Sequence, residues 1–397
     1  MDKTADFLII GAGVIGINLA RNLKKRYPDA RIIVLEKETN LGEHASGRNS
    51  GVLHAGFYYT KDSLKAKFTK LGNEALTQYC LDKKIPINRC GKLVVARDEK
   101  DLPGLYELLE RGKINKIELE LISDKEAREL EPRVKTHEMA LFSPTTSSVD
   151  PKVVLQHLYQ DAVQEGIEFH LGVKYLHYRD QQIGTNAGHY SAGFVINAAG
   201  LYADKIAKDF GFAEDFTILP FKGLYLYASN PAEVFKRHIY PVPDLKNPFL
   251  GVHFTISYDG RVKIGPTAIP ALWREQYQKW DRFSFTEFKD IAMQEMALFF
   301  KAGFDFRKLA WNEVKKYNRA VLVRHAAELA TGVLKNNYTT WGKPGIRAQL
   351  MNTKTRKLEM DFILEGDKKS FHVLNAVSPA FTCSVPFAEY VVDRIHK

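Results

Sequence analysis

Cysteine is scarce in this 397-residue chain: Cys80, Cys90 and Cys383 are odd in number, far apart, and none sits in a C-x-x-C pair. That pattern argues against a disulfide framework and a cysteine-based metal site. It fits a reducing compartment in which thiols pack as small apolar side chains. No apolar run reaches the roughly 20 residues that a membrane span needs. The apolar start, Phe7 to Ile17, holds three glycines and no basic leader, so it reads as strand and turn and not as a signal peptide. Internal repeats and low-complexity stretches are lacking. Basic blocks with interleaved aromatics are lacking too, so no nucleic-acid partner is expected. The net charge of +10 comes instead from dispersed lysines, among them Lys61, Lys65, Lys67 and Lys70, Lys83 and Lys84, and Lys368 and Lys369. A solvated surface is the default reading. Steering of an anionic substrate and docking on an anionic membrane surface are the functional ones. The expected location is cytoplasmic, with possible peripheral contact on the inner face of a membrane.

Glycine is where the chain becomes informative. Phe7-Leu8-Ile9-Ile10 runs into Gly11-Ala12-Gly13-Val14-Ile15-Gly16, and Glu36 follows twenty positions after the last glycine, at the end of a second apolar run. In this strand–turn–helix–strand–acid context Gly11 allows a tight turn, Gly13 lets backbone approach a pyrophosphate, and Gly16 lets helix and strand pack closely. The helix N-terminus offers N–H groups and a partial positive charge to phosphate. Glu36 suits the two hydroxyls of an adenosine ribose that lacks a 2′-phosphate. The predicted ligand is a dinucleotide.

Further along, periodicity predicts a helix over Ser63–Cys80 and a strand over Gly91–Ala96. Ser123-Asp124-Lys125-Glu126 is a capping box, Asp150-Pro151 starts another helix, and Ile167–Leu171 is a strand. A β-rich stretch spans Ile218–Gly265, where Val252, Phe254 and Ile256 face Val262 and Ile264 across Asp259-Gly260. A helix is expected at Thr286–Lys301, a hairpin joins Leu358–Leu364 to Phe371–Leu374, and a final helix ends near Asp393 and Arg394. The order is β-α-β, a β-rich middle, and helix again. That predicts an α/β chain whose Rossmann-like nucleotide domain is assembled from separated segments around an inserted β-rich domain.

Two more segments favour close approach to a ligand. After Glu36, Ser46-Gly47-Arg48-Asn49-Ser50-Gly51-Val52-Leu53-His54-Ala55-Gly56 is rich in small residues, and Ser46, Arg48, Asn49 and Ser50 can donate to phosphate. Val195-Ile196-Asn197-Ala198-Ala199-Gly200-Leu201-Tyr202-Ala203-Asp204 is an apolar strand ending in small residues. Together with the glycine turn these segments resemble the FAD-dependent D-amino-acid oxidase-like superfamily. GRNSGVLHAGFYYTKDSLKAK, CGKLVVA, PFKGLYLY, HIYPVPDLKNPFLGVHFT, KPGIRAQ and NAVSPAFTCS follow in order over nearly the whole chain. They resemble the L-2-hydroxyglutarate oxidase/dehydrogenase family.

The resemblance implies FAD held by residues 1–88, 138–215 and 336–397, and a substrate domain of residues 89–137 and 216–335, with the reactive ring between domain and inserted sheet. It places Gly11, Gly13, Gly16, Glu36, Lys37, Ser46, Arg48, Asn49, Ser50, Gly51, Val173, Ala199, Gly200, Gly345, Ser378, Pro379, Ala380 and Thr382 at the cofactor. The implied substrate is a 2-hydroxy dicarboxylate oxidised to 2-oxoglutarate, with oxygen or a membrane quinone taking the electrons. Arg48, Thr267 and Phe381 depart from the residues usual in the family. Other substrates on the same fold stay open: another 2-hydroxy acid, an amino acid, a secondary amine or glycerol 3-phosphate. So does a non-catalytic flavin-binding protein.

The chemistry asks for a base to take the hydroxyl proton, and a pKa near neutrality suits it. His54, directly after the small-residue loop, is the first candidate and His253 the second. Arg347 can grip a carboxylate bidentately, and Lys222 can hold the distal one or the flavin O2 region. Tyr58 and Tyr240 can donate hydroxyls. The N–H groups of residues 378–382, before the last helix, can face the flavin pyrimidine.

Overall fold

The computed structural model describes residues 3–230, 233–244, 250–301 and 306–395. Residues 245–249, inside the HIYPVPDLKNPFLGVHFT block, lie outside the described residues. The chain divides into two compact units: Met1–Asn49, Pro151–Pro220 and Arg347–Lys397 form one, Ser50–Asp150 and Phe221–Ile346 the other.

The first unit is built on five parallel strands. Their spatial order is Glu168–Leu171, β2 (Ile32–Glu36), β1 (Thr4–Ile10), Gly188–Asn197 and Ser370–Val373. Phe7 to Ile10 are all buried, as befits a parallel strand covered on both faces. The chain leaves β1 toward β2 on one side and returns to its other side with Gly188–Asn197. The C-terminal end of β1 is therefore a topological switch point, where open α/β sheets bind ligands. Helix α1 (Val14–Arg26) buries Ile17, Leu19, Ala20 and Leu23, packs beside the helix Ala380–Val392, and ends in Lys24, Lys25 and Arg26, cations that suit its dipole.

The second unit holds an eight-stranded sheet. Its order is Tyr338–Trp341, Leu226–Ala228, Val262–Gly265, His253–Ile256, His238–Pro241, Lys92–Val95, Met139–Ser143 and Glu120–Ser123. The expected register is present: Phe254 lies opposite Ile264 and Ile256 opposite Val262. Val52–Leu53, Ser147–Val149 and Ile87–Asn88 form a small second sheet.

That small sheet places residues 50–88 and 138–150 differently from the division expected above. Leu53 pairs with Ser147 and Ile87 with Val149, and the Asn73 amide donates to the carbonyls of Leu53, His54 and Thr145. These segments therefore cluster with the large sheet. The Ser123 capping box is present. The last hairpin is shorter than expected, pairing Leu364–Gly366 with Ser370–Val373, and the final helix stops at Val392. Helices Leu102–Ile114 and Phe306–Lys315 escaped the sequence reading because their apolar spacing is broken by exposed Tyr106 in one and by exposed Trp311 and buried Glu313 in the other, and the short Arg319–Ala327 escaped it too.

Candidate active site

The first unit brings Gly11, Gly13, Gly16, Glu36, Ser46 and Ala199 together at the switch point. Gly11 has φ +109°, and a Cβ there would lie 2.6 Å from the Ala198 carbonyl oxygen. A Cβ on Gly16 would sit 1.9 Å from the Gly11 carbonyl oxygen, and one on Gly13 3.0 Å from Ser46 Oγ. The turn thus has room for backbone alone. Glu36 accepts from the Ala12 and Glu38 amides, each at 3.0 Å, which fixes its carboxylate at the end of β2 beside the turn. The amide of Val14, first residue of α1, donates to Ser46 Oγ at 3.0 Å. Ser46 therefore caps the helix from a distant loop and keeps its own proton to donate. The remaining first-turn N–H groups lack intrahelical acceptors. A tight, side-chain-free cradle, a helix N-terminus and an acid at the ribose position fit the pyrophosphate and adenosine of FAD.

The neighbouring predicted residues divide between ligand-facing and scaffold roles. Asn49 donates to the carbonyls of Ala45 and Ser46 and closes the turn Ala45–Gly47. Arg48 donates to the Glu43 carbonyl. Lys37 pairs with Glu38 and lies 5.8 Å from the Tyr202 ring centroid. Val173 donates to the Glu36 carbonyl, and Ala199 to Asn197 Oδ1. Gly200 opens the turn Gly200–Tyr202. Asp204 is buried and anchors Ile218 through its amide. Ser378 and Pro379 lead into the helix that starts at Ala380, which has no side-chain cap, and Thr382 is buried in its first turn. Arg347 lies half-buried on the strand Gly345–Asn352.

The second unit gathers the catalytic candidates. His253 is buried and its ring stacks on Tyr240 at 3.7 Å between centroids. His253 Nδ1 lies 3.0 Å from the Gly251 carbonyl oxygen, so Nδ1 carries the proton and Nε2 is left as an acceptor. Burial, then Lys92 and His54, push its pKa well below the ordinary histidine value, so the ring is neutral. His54 is buried, with its carbonyl held by Asn73. Tyr58 and Tyr240 are both buried, which raises their phenol pKa and keeps them protonated. Ser50 accepts the Lys263 ammonium on its carbonyl at 3.0 Å, and Gly51 accepts from the Val149 amide. Lys222 is buried, and that burial lowers its pKa, partly offset by Asp281. Thr267 donates to the Lys222 carbonyl and accepts from Leu224, so it staples the strand end that carries the lysine.

Sequence reasoning missed Lys92. It has no exposed surface, its ammonium has no hydrogen-bond partner among the described residues, and it lies 4.9, 4.8 and 4.7 Å from the ring centroids of Phe57, Tyr58 and Tyr240. The available signal was a single lysine in the otherwise apolar strand Gly91-Lys92-Leu93-Val94-Val95.

The comparisons with known proteins agree with one another. The family described as FAD dependent oxidoreductase matches residues 6–394. An L-2-hydroxyglutarate dehydrogenase of Escherichia coli K12 is 34% identical over 98% of this chain and 93% of its own. The mitochondrial L-2-hydroxyglutarate dehydrogenase of Homo sapiens is 34% identical over 99% and 89%. Among solved structures, the FAD-bound L-alpha-glycerophosphate oxidase of Mycoplasma pneumoniae superposes with a TM-score of 0.78 at 23% identity, covering 98% of this chain and 94% of that one. Glycine oxidase of Geobacillus kaustophilus gives 0.72 at 18%, covering 100% and 96%. These likenesses place the fold in the D-amino-acid oxidase class.

Proposed function

The chain belongs to the FAD dependent oxidoreductase family, among the L-2-hydroxyglutarate dehydrogenases, and we propose that it oxidises L-2-hydroxyglutarate to 2-oxoglutarate. The fit of the Gly11–Gly16 turn and Glu36 to a dinucleotide, in a chain similar end to end to those dehydrogenases, carries the reading. Bound FAD supplies the hydride acceptor. The residues of this chain do the rest. As the α-carbon loses its hydride, the hydroxyl proton moves to Nε2 of His253, the unprotonated ring nitrogen once Nδ1–H donates to the Gly251 carbonyl. His54 is near enough to His253 to disfavour a charge on it, and is itself the other candidate acceptor for the proton. Arg347, through its planar fork, and Lys222 are each candidates to hold a substrate carboxylate. Tyr58 and Tyr240 stay protonated and offer hydroxyl donors. Anaerobic mixing with each enantiomer tests this: the L-form bleaches the flavin and the D-form does not, because only one hand presents its α-hydrogen in attack geometry. Equal bleaching by both, or by neither, refutes the reading.

The electrons leave to a membrane quinone, with the protein docked on an anionic bilayer surface. A stretch of the second unit supports this. No described helix is long and apolar enough to cross a membrane. On helix Phe285–Lys301, Ile291 and Leu298 are buried, yet Phe285, Met293, Met296 and Phe300 are exposed on the opposite side. Trp280 and Trp311 are exposed as well. Lys315 lies 5.2 Å from the Trp311 ring and Arg307 5.6 Å from the Phe299 ring. Several acids of the stretch are turned inward: Glu287 accepts the Arg274 amide, Glu313 pairs with Lys316, and burial pushes Glu295 up to about 8. Aromatics beside outward cations suit an interfacial site. The protein should sediment with phosphatidylglycerol-containing vesicles more than with phosphatidylcholine ones, and a Phe300→Ser/Trp311→Ser double variant should lose that difference. A dimer that the double variant abolishes, without vesicle binding by the wild type, assigns the surface to a second copy instead.

A further inference from the structure

Lys92 belongs to a cluster of cations and imidazoles that contains no carboxylate partner for it among the described residues. His238 lies beside it in the parallel strand pair, and Tyr240 follows two residues on. Phe57 and Tyr58 close the cage from the preceding loop, and Cys90 approaches from its own strand's entry. His253 is stacked on Tyr240, one of the three cage rings. His238 accepts the Ile256 amide on Nδ1 and contacts Cys90 Sγ through Nε2, so it too is held neutral. Lys263 lies two strands from His238, beyond His253–Ile256, and its charge disfavours one on His238. Burial lowers its own pKa to about 8, with Asp259 and Asp150 opposing that shift and Arg261 adding to it. His54 is felt by His253.

We propose that Lys92 is a positioning residue for the oxidation, because its ammonium and an imidazolium at His253 exclude one another, so that the site accepts the substrate's hydroxyl proton only when the Lys92 amine is neutral. Three ring faces replace the water an ammonium would otherwise have, and they stabilise it far less than a carboxylate would. Burial lowers the Lys92 pKa to about 7. Its charge is therefore lost as pH rises through neutrality, and the proton from the substrate oxygen then enters a cluster with room for one positive charge. An acid limb near neutrality, which a histidine would ordinarily explain, belongs to a lysine. The inference rests on the proposed hydroxy-acid oxidation.

The experiment follows flavin reduction by L-2-hydroxyglutarate across pH 5–9 in flavin-replete protein, beside imidazole NMR of the same variants. In the wild type the reduction rate rises with a midpoint near 7, while His253 stays neutral throughout. Lys92→Met removes the charge at similar length: the midpoint moves at least one pH unit toward acid, and the His253 protonation midpoint moves up. Lys92→Arg keeps a charge at every pH, so reduction is slowed at least tenfold across the range and His253 stays neutral. A wild-type midpoint retained in Lys92→Met, with its His253 resonance unshifted, overturns the proposal. A wild type that the substrate never reduces refutes the substrate reading, and the NMR arm still decides whether Lys92 sets the state of His253.

Discussion

The glycine turn of the first unit and the caged lysine of the second are equally constructed, but the chain encodes them in opposite ways. The turn is local. Gly11, Gly13, Gly16 and Glu36 lie on one β-α-β passage; each glycine has its place because its neighbours crowd out a side chain, and Glu36 because it accepts the Ala12 and Glu38 amides. The cage is convergent. Phe57, Tyr58, Lys92 and Tyr240 come from three separated segments: strand pairing sets Tyr240 beside the strand of Lys92, and the loop that follows Val52–Leu53 packs Phe57 and Tyr58 against it. A backbone-made site is recognised by spacing, whereas a side-chain-made site has no spacing to recognise. The first should accordingly fail by losing its ligand when altered, and the second by losing rate while the ligand stays bound.

The largest expected effect is at the turn. Gly13→Val places branched carbon where even a Cβ would lie 3.0 Å from Ser46 Oγ and fills the approach to the pyrophosphate. The purified variant should lack the flavin absorption bands while keeping a native circular dichroism spectrum. Full flavin in that variant would erase the contrast. Next comes His253→Asn, which should keep its flavin and slow anaerobic reduction by roughly 10²–10⁴-fold. His54→Asn should slow it less. If His54→Asn is the slower of the two in flavin-replete protein, the proton acceptor is His54, and the stack on Tyr240 is only packing.

A smaller effect separates binding from proton transfer. Arg347→Lys keeps charge but loses the fork, so KM should rise about tenfold, ~1.4 kcal/mol, with the maximal reduction rate little changed. A drop in rate at constant KM would give Arg347 a role in the transition state instead. A last effect is on stability, and both units share it. Burial lowers the pKa of His372 to about 4 and that of His238, with help from Lys92 and Lys263, to about 3. Unfolded histidines take up protons near pH 6.5, and these two native ones resist until far lower pH. Their contribution is complete above pH 6.5 and is lost as pH falls toward 4 and 3. The slope is at most about 1.4 kcal/mol per pH unit for each group. Urea midpoints at pH 7 and pH 5 should differ less in His372→Asn than in the wild type.

Much of the architecture was legible. The β-α-β start, the helix capped at Ser63, the capping box at Ser123 and the register across Asp259-Gly260 all appear where the chain's local patterns put them. The candidate site was legible in part. His253, Tyr58 and Tyr240 do lie in one neighbourhood, but the roles of others changed on contact with their surroundings. Asn49 holds the carbonyls of its own turn, and Ser46 caps a helix thirty-two residues away. Thr267, a departure from the family's usual residue, staples the strand end at Lys222.

Backbone stereochemistry and short-range periodicity act between residues near in sequence, so the sequence by itself determined the dinucleotide turn, most element types and the hairpin register. Tertiary structure decided what depends on distant partners. It drew residues 50–88 to the second unit through the pairing of Leu53 with Ser147 and Ile87 with Val149. It selected the His253 tautomer through the Gly251 carbonyl. It also buried Lys92 among three rings, with no counter-ion among the described residues. A lysine's proton affinity depends on the dielectric and the charges around it, and those exist only once the strands have paired.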